Sequence, residues 1–154
     1  MKYIEDINEF EIRRKRVDRL ILLGRFFGNK KLILTALEEQ AYAGKLILTS
    51  ILKYHHVKGF ITLTNSPEKN LDILKSKISK DWEMELEVEH ILELMNLNKK
   101  HKKSPIEFMR KKKVVILDED QNIETITIER LKSYTQSITA IKLRFKDELS
   151  QKLQ

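Results

Sequence analysis

Leu20-Ile-Leu-Leu-Gly-Arg-Phe-Phe-Gly-Asn-Lys-Lys-Leu-Ile-Leu34 decides the fold, because it holds the end of one apolar helical stripe, a stop, and the start of a second stripe. Upstream, Phe10, Val17, Leu20, Ile21, Leu23 and Phe27 recur at spacings of three and four, which predicts one buried helix face over about residues 8–27. Gly28-Asn29 then supplies a C-terminal stop, since both residue types tolerate positive φ. Downstream, Leu34, Leu37, Ala41, Leu48, Ile51 and Leu52 form the apolar surface of a second helix over about residues 30–55. Ala41, Ala43 and Gly44 are small enough to let another backbone approach it closely. The two helices read as an antiparallel hairpin joined by a tight turn.

Beyond Gly59, Phe60-Ile61-Thr62-Leu63-Thr64 reads either as a short strand or as a packed connection. Ser66 is placed to cap a helix whose first residue is Pro67 and which carries Leu71, Leu74 and Ile78. A further helix is predicted from near Trp82 to about Leu97, with Leu86, Ile91, Leu94, Met95 and Leu97 toward the core. Glu83, Glu85, Glu87 and Glu89 crowd its first turns, where negative charge offsets the helix dipole. The apolar run from Val114 to Leu117 and the stretch from Asn122 to Thr127 flank Asp118-Glu119-Asp120-Gln121, which reads as a β-hairpin. Thr127 then sits where an N-cap is wanted. The last helix runs from Ile128 to about Leu149 with Leu131, Tyr134, Ile138, Ile141, Phe145 and Leu149 for packing. The expected architecture is mainly α: one domain over residues 1–154, an antiparallel bundle of four or five helices with a short β-hairpin insert before the last helix.

Composition agrees with that architecture. The chain has 154 residues, only four Gly and two Pro, and 34% charged residues, which favours long helices over a loop-rich β fold. Without cysteine there is no disulfide framework and no thiolate zinc site, which suits a reducing cytosol. Met-Lys-Tyr-Ile-Glu-Asp at the N-terminus lacks an apolar signal core, and the longest apolar runs are too short to span a bilayer. A cytoplasmic protein with no membrane partner is expected. The net charge of +7 invites a polyanion, because Lys and Arg release counterions when they neutralise phosphates. A Lys- and Ile-rich composition from an AT-rich genome gives the same charge without any such partner.

The charge is concentrated between Lys99 and Lys113, in Lys-Lys-His-Lys-Lys-Ser-Pro-Ile-Glu-Phe-Met-Arg-Lys-Lys-Lys, which runs directly into Val114. Lys99, Lys100, His101, Lys102, Lys103, Arg110, Lys111, Lys112 and Lys113 are the candidate nucleic-acid contacts, beside a rigid element and shaped by Ser104 and Pro105. Within the block, His101 is surrounded by like charge and is expected as a neutral imidazole capable of general-base work. With Arg110 stabilising a phosphorane-like charge it makes the candidate catalytic pair of a metal-independent ribonuclease. Against this stands a histidine in a solvated basic loop, because a base without a positioned partner is incomplete. Glu87 and His90 have the Glu-x-x-His spacing of di-iron bundles, but the chain has no second copy, so no metal is expected. His55 and His56 end a helix, where a cation meets the dipole favourably. Gly24 and Gly28 lack the Lys and Ser/Thr of a phosphate loop, and no cofactor is expected.

Two stretches carry a resemblance to a known family. Ala41-Tyr-Ala-Gly-Lys-Leu-Ile-Leu48 in a helical hairpin that is followed by a final helix after a short connector resembles the HEPN superfamily, and the segment from His101 to Leu117 looks like archaeal HEPN-like proteins of undefined role. That resemblance implies a four- or five-helix bundle, commonly a homodimer, from toxin–antitoxin, CRISPR or antiviral systems, often paired with a nucleotidyltransferase-like antitoxin. Members are often ribonucleases with an Arg, four to six residues and a His near the last helix. Here Arg130 opens the final helix, but Leu-Lys-Ser-Tyr-Thr-Gln-Ser follows it and no His occurs after His101. The resemblance therefore implies a regulatory module that binds RNA or a partner protein. Two other classes compete. A winged-helix DNA-binding regulator would use the hairpin as wing and the preceding helix as reader, but Glu83, Glu85, Glu87, Glu89 and Glu93 on that helix would repel DNA. In a purely structural partner, the basic block and the Glu-rich helix would neutralise one another.

Overall fold

In the computed structural model, which describes residues 2–151, helix α1 (Lys2–Phe27) turns at Gly28 into α2 (Lys30–Val57). The reason is local. Gly28 adopts φ of 57° and its N–H donates to the Gly24 carbonyl at 2.8 Å, closing α1 with a left-handed residue. Asn29 has extended backbone, and its side chain accepts from the Lys31 N–H at 2.8 Å. It thus caps the helix that follows instead of sharing the stop. The buried face of α1 is Tyr3, Phe10, Val17, Ile21 and Gly24, and it leads to Gly28, so Leu23 and Phe27, expected in the core, stand one residue off the stripe and are exposed.

Helix α2 is the central rod, packing on α1, on α5 (Glu85–Lys103), on α6 (Ile128–Gln151) and on the sheet. Glu38 reaches His101 while Gly44 faces Ile91 and Leu94, so α2 and α5 run antiparallel. A Cβ at Gly44 would lie 2.9 Å from the Ile91 Cγ2 methyl. Such a separation leaves no room for a side chain, as the small residues of this helix suggest. Gln40, buried on α2, donates through Nε2 to the Leu131 carbonyl at 2.8 Å and to Thr135 Oγ1 at 2.7 Å, both on α6.

Between these rods, residues 60–64 form a connection and not a strand, with Ile61 turned into the core. Ser66 then caps α3 (Pro67–Ile73) by accepting from the Lys69 N–H, and the rod continues through a π segment (Leu74–Ile78) into α4 (Ser79–Asp81). Trp82 does not begin the next helix. Glu83 sits at φ of 54°, which breaks the chain direction, and α5 starts at Glu85 and runs six residues past Leu97. Leu86, expected in the core, is 83% exposed.

The expected hairpin is the second half of a three-stranded antiparallel sheet in the order β1 (Ile106–Arg110), β2 (Lys113–Leu117), β3 (Ile123–Ile126). Val114, Ile116 and Ile126 point inward and are fully buried, whereas Ile106, Phe108, Arg110, Lys113 and Ile123 lie on the outer face. Thr127 caps α6, its Oγ1 accepting from the Arg130 N–H at 3.0 Å. Leu131, Tyr134, Ile138, Ile141 and Phe145 supply the inner stripe of α6 as the spacing predicts. The result is a mainly α bundle with a small sheet before the last helix. Among the described residues, no helix is long and apolar enough to cross a membrane.

Candidate nucleic-acid interface

The basic block is two structures. Lys99 to Lys103 form the last turn and a half of α5, where cations meet the negative end of the helix dipole. Ser104 ends the helix: its N–H donates to the His101 carbonyl, and its hydroxyl lies 2.8 Å from the Ile106 carbonyl and 2.7 Å from that of Leu117. The hydroxyl therefore ties the start of β1 to the end of β2. The second half of the block, Arg110 to Lys113, is the tip of the β1–β2 hairpin, with Arg110 and Lys113 paired across the strands.

Only Lys111 and Lys112 connect those two strands, and both have positive φ, 49° and 64°. This is the pattern of a type I′ turn, which normally takes Asn-Gly because a Cβ in the left-handed region costs about 1–2 kcal/mol per residue. Two lysines are held there instead.

Charge pairing divides the block further. Lys100 Nζ is 3.0 Å from Glu124 Oε1. His101 is nearly buried, with Nδ1 at 2.5 Å from Glu107 Oε1 and Nε2 at 2.8 Å from Glu38 Oε1. Both ring nitrogens face carboxylates, which makes the imidazole a link between α5, α2 and β1 and leaves it no free position for a substrate proton. Arg110 lies three residues beyond Glu107 on β1, about 10 Å along the strand and on its opposite face, so the structure does not bring His101 and Arg110 together. Lys99, Lys102, Lys103, Arg110, Lys111, Lys112 and Lys113 are exposed and make no ion pair among the described residues. The Glu-rich start of α5 does not neutralise them: Glu89 meets Lys75 and Glu93 meets Arg130.

Several neighbours of the tip are invisible in the linear block. A Cβ built on Gly28 would stand 3.7 Å from Lys112 Cγ, which seats the tip against the α1–α2 turn. Lys30 Nζ reaches the Glu107 carbonyl at 3.4 Å. Exposed Arg25 and Lys31 therefore flank the same corner, together with Phe26 and Phe27. The sequence signal for this was the drift of Phe26 and Phe27 from the Phe10–Val17–Ile21–Gly24 stripe.

A second polar cluster surrounds Arg130 at the start of α6. Its guanidinium donates to Glu124 Oε2 at 3.0 Å, the Thr125 carbonyl at 2.9 Å, Glu93 Oε1 at 2.9 Å and the Tyr134 hydroxyl at 3.0 Å. Burial works against its charge, but Glu124 and Glu93 outweigh burial and raise its pKa. Burial likewise pushes the Tyr134 phenol up to about 12. The His90 ring packs on Tyr134 at 4.5 Å between centroids and its Nδ1 lies 2.7 Å from Ser137 Oγ. Beside it, a groove of about 490 Å³ is lined by Leu86, Glu87, Glu89, His90, Glu93 and Ser137. Every guanidinium nitrogen of Arg130 is engaged within the protein, and the groove is acidic. Among the described residues, no group of three or more His, Asp or Glu is placed to hold a metal.

Comparison with protein-family models, with curated proteins and with solved structures finds no match. The chemistry of the surface therefore rests on its own charges. The exposed Arg110 guanidinium and the Lys102, Lys111, Lys112 and Lys113 ammonium groups attract a polyanion, whereas Lys99 and Lys103 share a groove with Asp118, Glu119 and Asp120, and the groove beside His90 repels one.

Proposed function

We propose that the protein is an RNA-binding regulatory module, HEPN-like in architecture, that holds the phosphate backbone on the hairpin tip and the end of α5. The observation that carries this reading is the set of unpaired cations at Lys99, Lys102, Lys103 and Arg110 to Lys113, the last four presented on a two-lysine turn in left-handed backbone. Phosphate contacts position an RNA and make its affinity depend on salt. Pairing of His101 with Glu38 and Glu107 favours a binding role over the His101–Arg110 ribonuclease. The HEPN-like reading also carries a homodimer and a nucleotidyltransferase-like antitoxin as proposed partners.

The test is charge reversal of Arg110, Lys111, Lys112 and Lys113 to Glu, with affinity for a single-stranded RNA measured from low to moderate salt. Each lost phosphate contact should flatten the log–log salt slope by about 0.7, so losing four should flatten it by roughly 3 and weaken low-salt binding by orders of magnitude. An unchanged slope and affinity would sink the proposal.

A further inference from the structure

Three exposed rings border the cationic tip. Phe26 is 77% exposed, Phe27 73% and Phe108 46%. Phe27 immediately precedes Gly28, against which Lys112 packs. Phe108 shares the outer face of β1 with Arg110, two residues on, and lies opposite Val115. Cations alternate with these rings along the surface: Arg25 beside Phe26, Lys30 and Lys31 beyond the turn, Lys111 and Lys112 at the tip, and Arg110 after Phe108. Glu107, the nearest acid on β1, faces the other side of the strand and is held by His101.

We propose that this corner is a binding site for unpaired RNA bases, with Phe26, Phe27 and Phe108 as stacking platforms between phosphate-binding cations. The inference rests on the RNA-binding reading and specifies its ligand as single-stranded. Every base offers a π face, and an aromatic ring can take it only when the base is not already stacked and paired in a duplex. Interleaving decides between partners. The rings sit on two elements, a helix end and a sheet face, and each element sets cations beside its ring in sequence, Arg25 next to Phe26 and Arg110 two residues after Phe108, whereas a bilayer is entered by one continuous apolar face. A single strand offers a partner to both kinds of group, phosphates to the cations and bases to the rings.

The probes are a 12-nucleotide oligouridine and a 12-base-pair RNA duplex, bound by the full chain and by the double variant Phe26→Ala, Phe27→Ala. Both rings are exposed, so the variant should melt with the parent. The expected result is tighter binding of oligouridine than of duplex, a roughly ten- to hundredfold loss of oligouridine affinity in the variant, and duplex binding unaltered in strength and salt slope. Phe26→Trp should restore the affinity and show fluorescence quenching on oligouridine. Equal loss for both probes, or no loss for either, overturns the stacking site while the cationic RNA surface stands. Failure of the parent to bind either probe overturns both readings. Loss in the double variant of binding to phosphatidylserine vesicles, or of self-association seen by sedimentation, with oligouridine affinity untouched, assigns the rings to a membrane or to a second copy and also overturns the stacking site.

Discussion

Lys111 and Lys112 are where sequence and backbone disagree most sharply. A turn that needs positive φ twice is built from residues that resist it. Replacing Lys111 by Asn and Lys112 by Gly should relieve that strain and stabilise the fold by about 1–2 kcal/mol, read as a rise in the urea midpoint. On the proposed RNA-binding reading, affinity should fall at the same time, since two of the cations assigned to phosphate are removed. Stability and affinity should therefore move in opposite directions. Caps, by contrast, were legible from single residues: Ser66 and Thr127 each accept from the backbone N–H three positions on, a rule that involves no distant part of the chain. His101 was not, because its neighbours in sequence are lysines and its neighbours in space are Glu38 and Glu107.

Elements were readable where their apolar stripe was long and their ends carried punctuation. Helix α2 satisfies both conditions, and α6 has the stripe together with Thr127 at its start. Strand β1 satisfied neither, since Ile106, Phe108 and Arg110 alternate with Glu107 and Met109 inside a run of cations, and its pairing with β2 is a tertiary fact. The start of α5 is illegible for a similar reason: nothing in Trp82-Glu83-Met84 announces a left-handed residue at Glu83. Ala41, Ala43 and Gly44 predict that another backbone comes close to α2; the neighbour is α5, and at Gly44 the fit leaves no room for a Cβ. Alanine there gains helix propensity of about 1 kcal/mol but drives a Cβ into Ile91, a fully buried β-branched residue with little freedom to move. Overpacking should win, so Gly44→Ala is expected to lower stability by about 1–2 kcal/mol in chemical denaturation.

Cations gather at the hairpin tip and the α1–α2 turn and acids along the groove at the start of α5, while at the end of α5 Lys99, Lys100 and Lys103 line a groove with Asp118, Glu119 and Asp120. The carboxylates that matter for folding are those held below their ordinary values. Backbone N–H groups of Asn122 and Asp120 donate to Asp118 and lower its pKa from 3.8. Burial opposes the charge of Glu124, but Arg130 and Lys100 more than offset it and lower its pKa from 4.5. Glu11, paired with Lys142 and Arg14, follows the same logic. Depressed folded-state values mean that these groups stabilise the protein fully above their unfolded values and lose that contribution as pH falls through the folded ones. The melting temperature should therefore begin to fall near pH 4.5 and continue below 3.8, with a shallower acid limb in Glu124→Gln; an acid limb identical to the parent's would remove Glu124 from the account.

Gln40 gives the bundle something its apolar contacts do not. Hydrophobic stripes on α2 and α6 repeat every turn, so either helix could slide by about 5.4 Å and still bury a greasy face. The Gln40 Nε2, which donates to both the Leu131 carbonyl and Thr135 Oγ1, finds both acceptors at one offset alone. It acts as a key in a lock between otherwise interchangeable notches. Because Arg130, Glu124 and the sheet are tethered to the same end of α6, that key also sets how far the hairpin stands out from the bundle.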